Sequence, residues 1–215
     1  MHFRLYLDIL LLGNLLFLMS YPLFDMEYHV AGGIFFFILL GIHHGLNRRW
    51  GTSLRKGRWT GKRMLETGVN AGLAVIFLLL LYSGLYFMQR TVSFHVLPGS
   101  MSMVRAMHLW CAYAGFLLIA IHLGLHGQIG ISLWRKWLGN RPWARRGLSL
   151  LLLLVTAYGL WAFIHRQWSD YLLMRSHFLL FDFTESPFSY FADHMAILLA
   201  VAWLAWKLSN VGGRW

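Results

Sequence analysis

Long apolar runs separated by short charged segments restrict this chain to a membrane-spanning fold. Only 13% of its 215 residues are charged and 58% are hydrophobic, whereas about a quarter of a soluble domain is charged. About 20 consecutive apolar residues cross the hydrocarbon layer of a bilayer as a helix. We therefore predict an all-α integral membrane protein in which residues 1–215 form one domain.

Six runs qualify as transmembrane helices. The first contains Asp8 and Asn14 and is followed by no small-residue cleavage site, so we interpret it as an uncleaved helix rather than a signal peptide. The predicted spans are 5–21, 27–46, 67–88, 104–127, 148–164 and 192–208.

Basic residues are concentrated in alternate loops. Seven basic residues lie between the second and third spans, and five lie between the fourth and fifth. With the three in the two tails, fifteen of the nineteen Lys and Arg residues fall on one side of the membrane. Cytoplasmic loops carry the excess of Lys and Arg, which predicts that both termini are cytoplasmic. The net charge of +11 reflects these loops, and we do not expect nucleic-acid binding.

Two of the spans each carry two histidines at the same separation. His29 and His43 are 14 residues apart in the second span, as are His108 and His122 in the fourth. On a helix this spacing is about 21 Å along the axis and only about 40° around it. The predicted topology makes these spans parallel, so His29 shares a depth with His108, and His43 with His122. Because histidine is costly in a membrane and is a common axial ligand of haem, we predict that each pair ligates one b-type haem.

Other histidines leave alternatives open. His44 lies about 60° around the helix from His29 and competes with His43, which fits the geometry somewhat better. His95 is separated from the fourth span by Pro98 and is not expected to share its helix. Three more are predicted at the outer surface and are not assigned as ligands, although the last two could lie near a haem edge: His165, His177 and His194.

Two further residues are candidates for contact with a haem. Arg105 precedes His108 by three residues and either pairs with a propionate or extends to the membrane surface. His126 lies one turn beyond His122. It either contacts a propionate, assists proton transfer at the inner surface, or is an ordinary interfacial histidine.

Small and polar residues in the spans also allow two interpretations. Asp8 and Asn70 are expected to form hydrogen bonds across helices, with a proton route through Asp8 as the alternative.

The apolar stretch within 165–191 is either an amphipathic surface helix or an ordered cap over the helix ends. Four glycines either leave room for a porphyrin or allow close helix packing: Gly32, Gly33, Gly41 and Gly115.

Several segments resemble one bacterial family. They are Asp8 in the first span, His29 with the glycines after it, HHGLNRRW, TGVNAG with a later SG, AYAGFLLIAIHLGLH, and DHMAI in the sixth span. Together they resemble the flavinylation-associated cytochrome family. That family's pattern of His, three residues and Asn is matched by His43 and Asn47, which supports His43 as the ligand.

The resemblance implies a cytochrome b-like domain with a di-haem four-helix core. Such a protein exchanges electrons between the quinone pool and an extracytoplasmic flavoprotein or similar redox protein, in a bacterial inner membrane. Its cofactors are two haem b, with quinone as a diffusible substrate and membrane lipid around it. It is an electron-transfer component more than a stand-alone enzyme.

Two rival functions involve no haem. One is a membrane anchor whose basic loops hold a partner or anionic lipid. The other is a metal-ion transporter that uses membrane histidines, which would place polar groups along a path through the midplane. The midplane stretches 34–40 and 115–121 are almost purely apolar, which favours two separate haem sites.

Overall fold

The computed structural model describes residues 2–54, 58–91, 96–128, 130, 141–176, 178–179, 182 and 184–211. These residues are mostly helical and include no β-strand. The α-helices of this part of the chain are α1 His2–Met19, α2 Met26–Leu46, α3 Arg49–Ser53, α4 Gly61–Thr91, α5 Met101–Leu125, α6 Pro142–His165, α7 Trp168–Leu172 and α8 Pro187–Val211.

Five of these helices, α2, α4, α5, α6 and α8, are long and apolar enough to cross a membrane. They indicate a multi-pass membrane protein, which agrees with the prediction. The first predicted span forms α1, an 18-residue helix that is not among the five. Large apolar side chains such as Leu78, Ile164 and Leu208 are exposed on the outside of the bundle, as expected where a helix faces lipid.

α1 and α2 form an antiparallel hairpin. A 3-10 turn at Tyr21–Leu23 joins them. The Asn14 side chain donates a hydrogen bond to the Gly32 carbonyl (3.0 Å), and near the open end Arg4 donates to the Leu46 carbonyl (3.1 Å). Hydrogen bonds at both ends therefore fix the register of the two helices.

α4 and α5 form a second hairpin, whose turn is held by the last residues of α4. The Gln89 amide accepts a hydrogen bond from the Leu97 N–H (2.8 Å) and donates one to the Leu97 carbonyl (3.1 Å). Gly99 has a φ of 135°, which a side chain would strain. The Ser100 hydroxyl then caps α5 by accepting from the Met103 N–H (3.3 Å).

α8 packs closely between α5 and α6. A Cβ added at Gly124 of α5 would overlap the Ala202 carbonyl, and one at Gly159 of α6 would overlap the Ala196 carbonyl. Small residues allow backbones in a membrane to approach closely and gain van der Waals contact. These two glycines therefore set the spacing of the α5–α8–α6 layer.

The α1–α2 hairpin packs tightly within itself but only lightly against the remaining helices, through α2 on α4 and α1 on α8. Phe36 of α2 contacts Phe77 of α4, with ring centres 5.5 Å apart. Tyr190 of α8 donates a hydrogen bond to the Met19 carbonyl of α1 (2.6 Å). The backbones of α2 and α5 are not closely packed, which leaves the space between them to side chains.

The described part of the loop after α6 forms an ordered cap rather than an amphipathic surface helix. Trp168 and Tyr171 of the short helix α7 are buried. Trp110 of α5 donates a hydrogen bond from its indole to the Leu172 carbonyl (3.0 Å). This cap covers the end of the bundle at which α5 begins.

Candidate functional site

The structure brings His29 of α2 and His108 of α5 together. Their ring centres are 6.1 Å apart and their planes are inclined at 67°. Two imidazoles on opposite sides of one metal ion, each about 2 Å from it, have ring centres roughly 6 Å apart. The separation therefore fits a pair of axial ligands; we call these residues the His29 pair and their end of the bundle the His29 end.

His108 is hydrogen-bonded to a serine of α4. The Ser83 hydroxyl is buried, and it lies 2.8 Å from the Nδ1 atom of His108 and 3.0 Å from the Leu80 carbonyl. When the one hydrogen of this hydroxyl is donated to the Leu80 carbonyl, the His108 Nδ1–H is the donor to Ser83. The Nε2 atom of His108 is left with the lone pair that a metal requires.

His29 is held by a ring contact and by the backbone of Leu18 rather than by a side-chain hydrogen bond. Its ring centre lies 5.1 Å from that of Tyr21. Its Nδ1 atom is buried and has no hydrogen-bond partner among the described residues. His108 is thus oriented by the serine of α4, and the His29 ring by Tyr21 and by a hydrogen bond with the Leu18 backbone of α1.

At the opposite end, His122 of α5 is oriented by α4 as well. The His122 Nδ1 atom lies 2.9 Å from the Asn70 amide oxygen, which can only accept, so Nε2 is again free. His122 interacts electrostatically with His43, His44 and His126. His43 and His122 therefore lie at one end of the bundle, as the spacing predicts, and we call them the His43 pair.

His43 is oriented by a carboxylate of α1. Its Nδ1 atom donates a hydrogen bond to Asp8 (2.9 Å), which is the cross-helix role predicted for that residue. Asn47 donates its amide to the His43 carbonyl (2.9 Å). His44 instead turns its Nδ1 atom to the Leu40 carbonyl (2.9 Å) and is exposed, so the arrangement favours His43 over His44.

The two residues expected near haem propionates lie on the surface. Arg105 is exposed, with its guanidinium 5.8 Å from the ring centre of Phe178. His126 caps the end of α5, with its ring centre 4.7 Å from that of His122. Neither is in an ion pair with a carboxylate of the described residues, so both are available to an anionic group beside the histidine pairs.

The four glycines divide between the two roles considered for them. A Cβ at Gly32 would contact the Phe17 ring at 3.0 Å, and one at Gly115 would contact Ile76 at 3.0 Å. These two allow close helix packing. Gly33 and Gly41 face open space on α2, and Gly33 lies one turn below His29, where a flat cofactor needs room.

His194, predicted at the outer end of the sixth span, is buried inside the bundle. α8 begins at Pro187 rather than at 192, so His194 lies inside the bundle and is 2% exposed. Its ring contacts Phe116 and Trp168, with ring centres 6.1 and 5.7 Å away. His165 is exposed and stacks on a tryptophan of α6, while His95 and His177 lie outside the described residues.

A buried ion-pair cluster at the His29 end had no counterpart in the sequence analysis. Arg166 donates to Asp193 (2.7 Å) and forms an ion pair with Glu185, and Tyr158 donates to Asp193. Burial alone lowers the pKa of Arg166, but its hydrogen bonds and charge interactions with the two carboxylates outweigh this effect and raise it. Arg166 therefore stays charged, and joins the cap to α8.

Comparison of the chain with protein-family models, with curated proteins and with solved structures finds no match. The family resemblance therefore remains a prediction, and the chemistry must be argued from these side chains.

The two histidine pairs are donors that a haem iron could use. No group of three or more His, Cys, Asp or Glu side chains that could hold a bare metal ion occurs in the described residues. A haem iron needs only axial ligands from the protein, and each end of the bundle offers two imidazoles. Three of these four rings have their Nδ1 hydrogen bonded to a side chain of another helix, which is the usual support of a metal-bound histidine.

Proposed function

We propose that this protein is a six-span, di-haem b-type cytochrome that carries electrons across a bacterial inner membrane. Its partners are the quinone pool and an extracytoplasmic flavoprotein or similar redox protein. The observation that supports this best is the shared orientation of His43, His108 and His122. Each uses Nδ1 as a hydrogen-bond donor and keeps Nε2 free for iron.

The proposed ligands of one haem are His29 and His108, and those of the other are His43 and His122. A bound haem b supplies an iron that gains and loses one electron reversibly. The protein sets the depth of each haem, since 14 residues of helix separate the two pairs by about 21 Å. It also sets their electronic environments, because Asp8 offers a charged acceptor where Ser83 offers a neutral one.

The proposed topology follows from the charges of the loops. The basic segments after α2 and after α5 are cytoplasmic, which puts the His29 pair near the outer face and the His43 pair near the inner face. α1 is included as a sixth span because Phe3, Tyr6 and Ile9 are all more than half exposed, as in a helix that contacts lipid. Full transfer of one electron across the bilayer then involves about 2.3 kcal/mol per 100 mV of membrane potential.

Arg105 and His126 are proposed to neutralise haem propionates at the outer and inner ends respectively. A guanidinium matches a carboxylate in both charge and geometry. Both side chains are exposed at the bundle ends, where they would neutralise the propionates of a bound haem.

The proposal is tested on the detergent-purified protein by a dithionite-reduced minus air-oxidised absorption spectrum and a pyridine haemochrome count. We expect two b-type haems per chain, and one in His108→Ala. His165→Ala removes an exposed histidine at the same end and should retain two. If haem-replete cells yield folded protein without haem, the proposal fails and an anchor or metal-transport function replaces it. If His108→Ala keeps both haems, the assignment of the His29 pair is wrong.

A further inference from the structure

Cations lie over tryptophan rings where α6 begins and α8 ends. The Lys207 ammonium of α8 is 5.4 Å from the ring centre of Trp203 and 5.5 Å from that of Trp206. At the N-terminus of α6, the Arg141 guanidinium is 6.0 Å from the ring centre of Trp143. Tryptophan is enriched where a membrane meets water, and a cation is attracted to its ring face. These contacts therefore place Lys207 and the start of α6 at the level of lipid head groups.

Arg146 of α6 and Lys207 of α8 lie at nearly the same depth in the bundle. The two helices are antiparallel, since α6 ends and α8 begins at the His29 end. They are in contact where Gly159 meets the Ala196 carbonyl. Arg146 precedes this contact by 13 residues and Lys207 follows it by 11, which is about 20 Å and about 17 Å of helix. Two cations on neighbouring helices thus share one level, at the end of the bundle that carries the His43 pair.

Both cations lie on helix faces that contact lipid. Residues three or four apart share one side of a helix. Leu150, four residues after Arg146, is 58% exposed, and Leu204, three residues before Lys207, is 37% exposed. Arg146 and Lys207 are themselves exposed. Each helix therefore presents a cation at head-group level directly above apolar side chains.

No carboxylate of the described residues compensates these two charges. Neither Arg146 nor Lys207 is in an ion pair in that part of the chain. Only two of the eight acidic residues, Asp8 and Glu66, lie at this end. Asp8 pairs with a histidine of α2, and Glu66 with a lysine one turn before it. The surface at Arg146 and Lys207 is left positive and complements an anion.

We propose that Arg146 and Lys207 bind the phosphate of an anionic glycerophospholipid whose acyl chains lie along the exposed leucines of α6 and α8. A guanidinium forms strong, paired hydrogen bonds with phosphate oxygens. A lipid without a cationic head group is favoured, because the ammonium of a zwitterionic lipid would face two like charges. A soluble anion would use the cations but not the apolar faces below them. This site needs no haem and is independent of the proposed electron transfer.

The test is a titration of the detergent-purified protein with phosphatidylglycerol, and separately with phosphatidylcholine of the same acyl chains, followed by native mass spectrometry. Phosphatidylglycerol should bind more tightly. Arg146→Gln and Lys207→Gln should each weaken its binding about 5-fold, the usual share of one basic residue near an anionic surface. Lys207→Arg keeps the charge and should bind as the unchanged protein does.

Lys62→Gln is the matched control. Lys62 is an exposed cation at the same end of the bundle, but it belongs to α4 and pairs with Glu66 (3.9 Å). Its loss should leave the affinity for phosphatidylglycerol unchanged. An equal effect of Lys62→Gln and Lys207→Gln would indicate a diffuse basic surface and overturn the site.

Two further results would also overturn the site. One is equal binding of phosphatidylcholine and phosphatidylglycerol, and the other is displacement of phosphatidylglycerol by inorganic phosphate, which would indicate a site for soluble anions. Thermal unfolding of the same samples identifies any misfolded variant. Lys207→Gln alters an exposed side chain near the end of α8, so it should fold, and unchanged lipid affinity in this variant alone would reject the proposal.

Discussion

His43 and Asp8 are joined by a hydrogen bond of 2.9 Å from the imidazole Nδ1 to the carboxylate, across the α1–α2 interface. A carboxylate in this position makes the imidazole a more basic ligand. The other oriented rings, His108 and His122, have neutral acceptors in Ser83 and Asn70. The two proposed haem sites therefore differ in charge although their histidine spacing is the same.

Asp8→Asn should raise the reduction potential of the haem at the His43 pair and leave the other unchanged. The neutral amide donates less electron density to the imidazole, so ferric iron is less stabilised. A redox titration that follows the two haems separately measures the effect. Asp25→Asn alters an exposed carboxylate at the other end of the hairpin and should shift neither potential. An equal shift of both haems would contradict the assignment.

Ser83→Ala should weaken only the haem at the His29 pair, by about 10–100-fold in affinity, as is usual when the support of a ligand is lost. The measurement is the rate of haem transfer to an excess of a soluble haem-binding protein. Ser20→Ala is the control, because Ser20 is equally buried but donates only to the Phe17 carbonyl (2.6 Å). Equal haem loss from both variants would mean that Ser83 acts through packing alone.

His43→Ala should lose one haem, whereas His44→Ala should keep two. The choice rests on the half-buried position of His43 and its bond to Asp8, against the exposed ring of His44. A pyridine haemochrome count on both variants decides the matter. The opposite result would make His44 the ligand.

Gly159→Ala should destabilise the protein by about 1–3 kcal/mol, the usual range for overpacking. Its new methyl group would overlap the Ala196 carbonyl of α8. Gly147→Ala, in the same helix, meets open space and should be neutral or slightly stabilising. Thermal unfolding in detergent compares the two variants, and similar midpoints would show that α6 and α8 can move apart freely.

Asp193→Ala should cost about 3–5 kcal/mol, because it leaves the buried Arg166 with only part of its compensating charge. The two side chains are 3% and 14% exposed. Asp170→Ala breaks a longer pair with the exposed Arg175 (3.9 Å) and should cost about 0–1 kcal/mol. Chemical unfolding monitored by tryptophan fluorescence gives both values. A small effect of Asp193→Ala would mean that Arg166 is solvated by water in the variant.

Hydropathy correctly predicted the five long apolar helices that follow α1, but it did not predict the residues at which they begin and end. α4 runs from Gly61 to Thr91, well beyond the predicted 67–88, because helices stop where capping groups act rather than where polarity rises. The turn after α4 depends on Gln89, whose bonds to Leu97 connect residues distant in any hydropathy window. α7 is too short to leave a periodic pattern.

For the candidate site, the sequence predicted which histidines meet but not what orients them. Equal spacing on parallel helices is enough to align His29 with His108. The role of Ser83 was missed because a single serine in an apolar helix is indistinguishable from an ordinary small packing residue. The only sequence feature that pointed to it was the SG dipeptide of the family resemblance. The burial of His194 was missed because its ring contacts, Phe116 and Trp168, come from two other helices that no hydropathy pattern connects to it.

The light packing of the α1–α2 hairpin on the other helices has a consequence for biosynthesis. Each hairpin has internal contacts of its own, so the first can insert and fold in the bilayer before α4 and α5 leave the ribosome. The interface between the α1–α2 hairpin and the remaining helices is then formed mainly by side-chain contacts. Under the proposed function, haem would bind between the two hairpins only after both have folded.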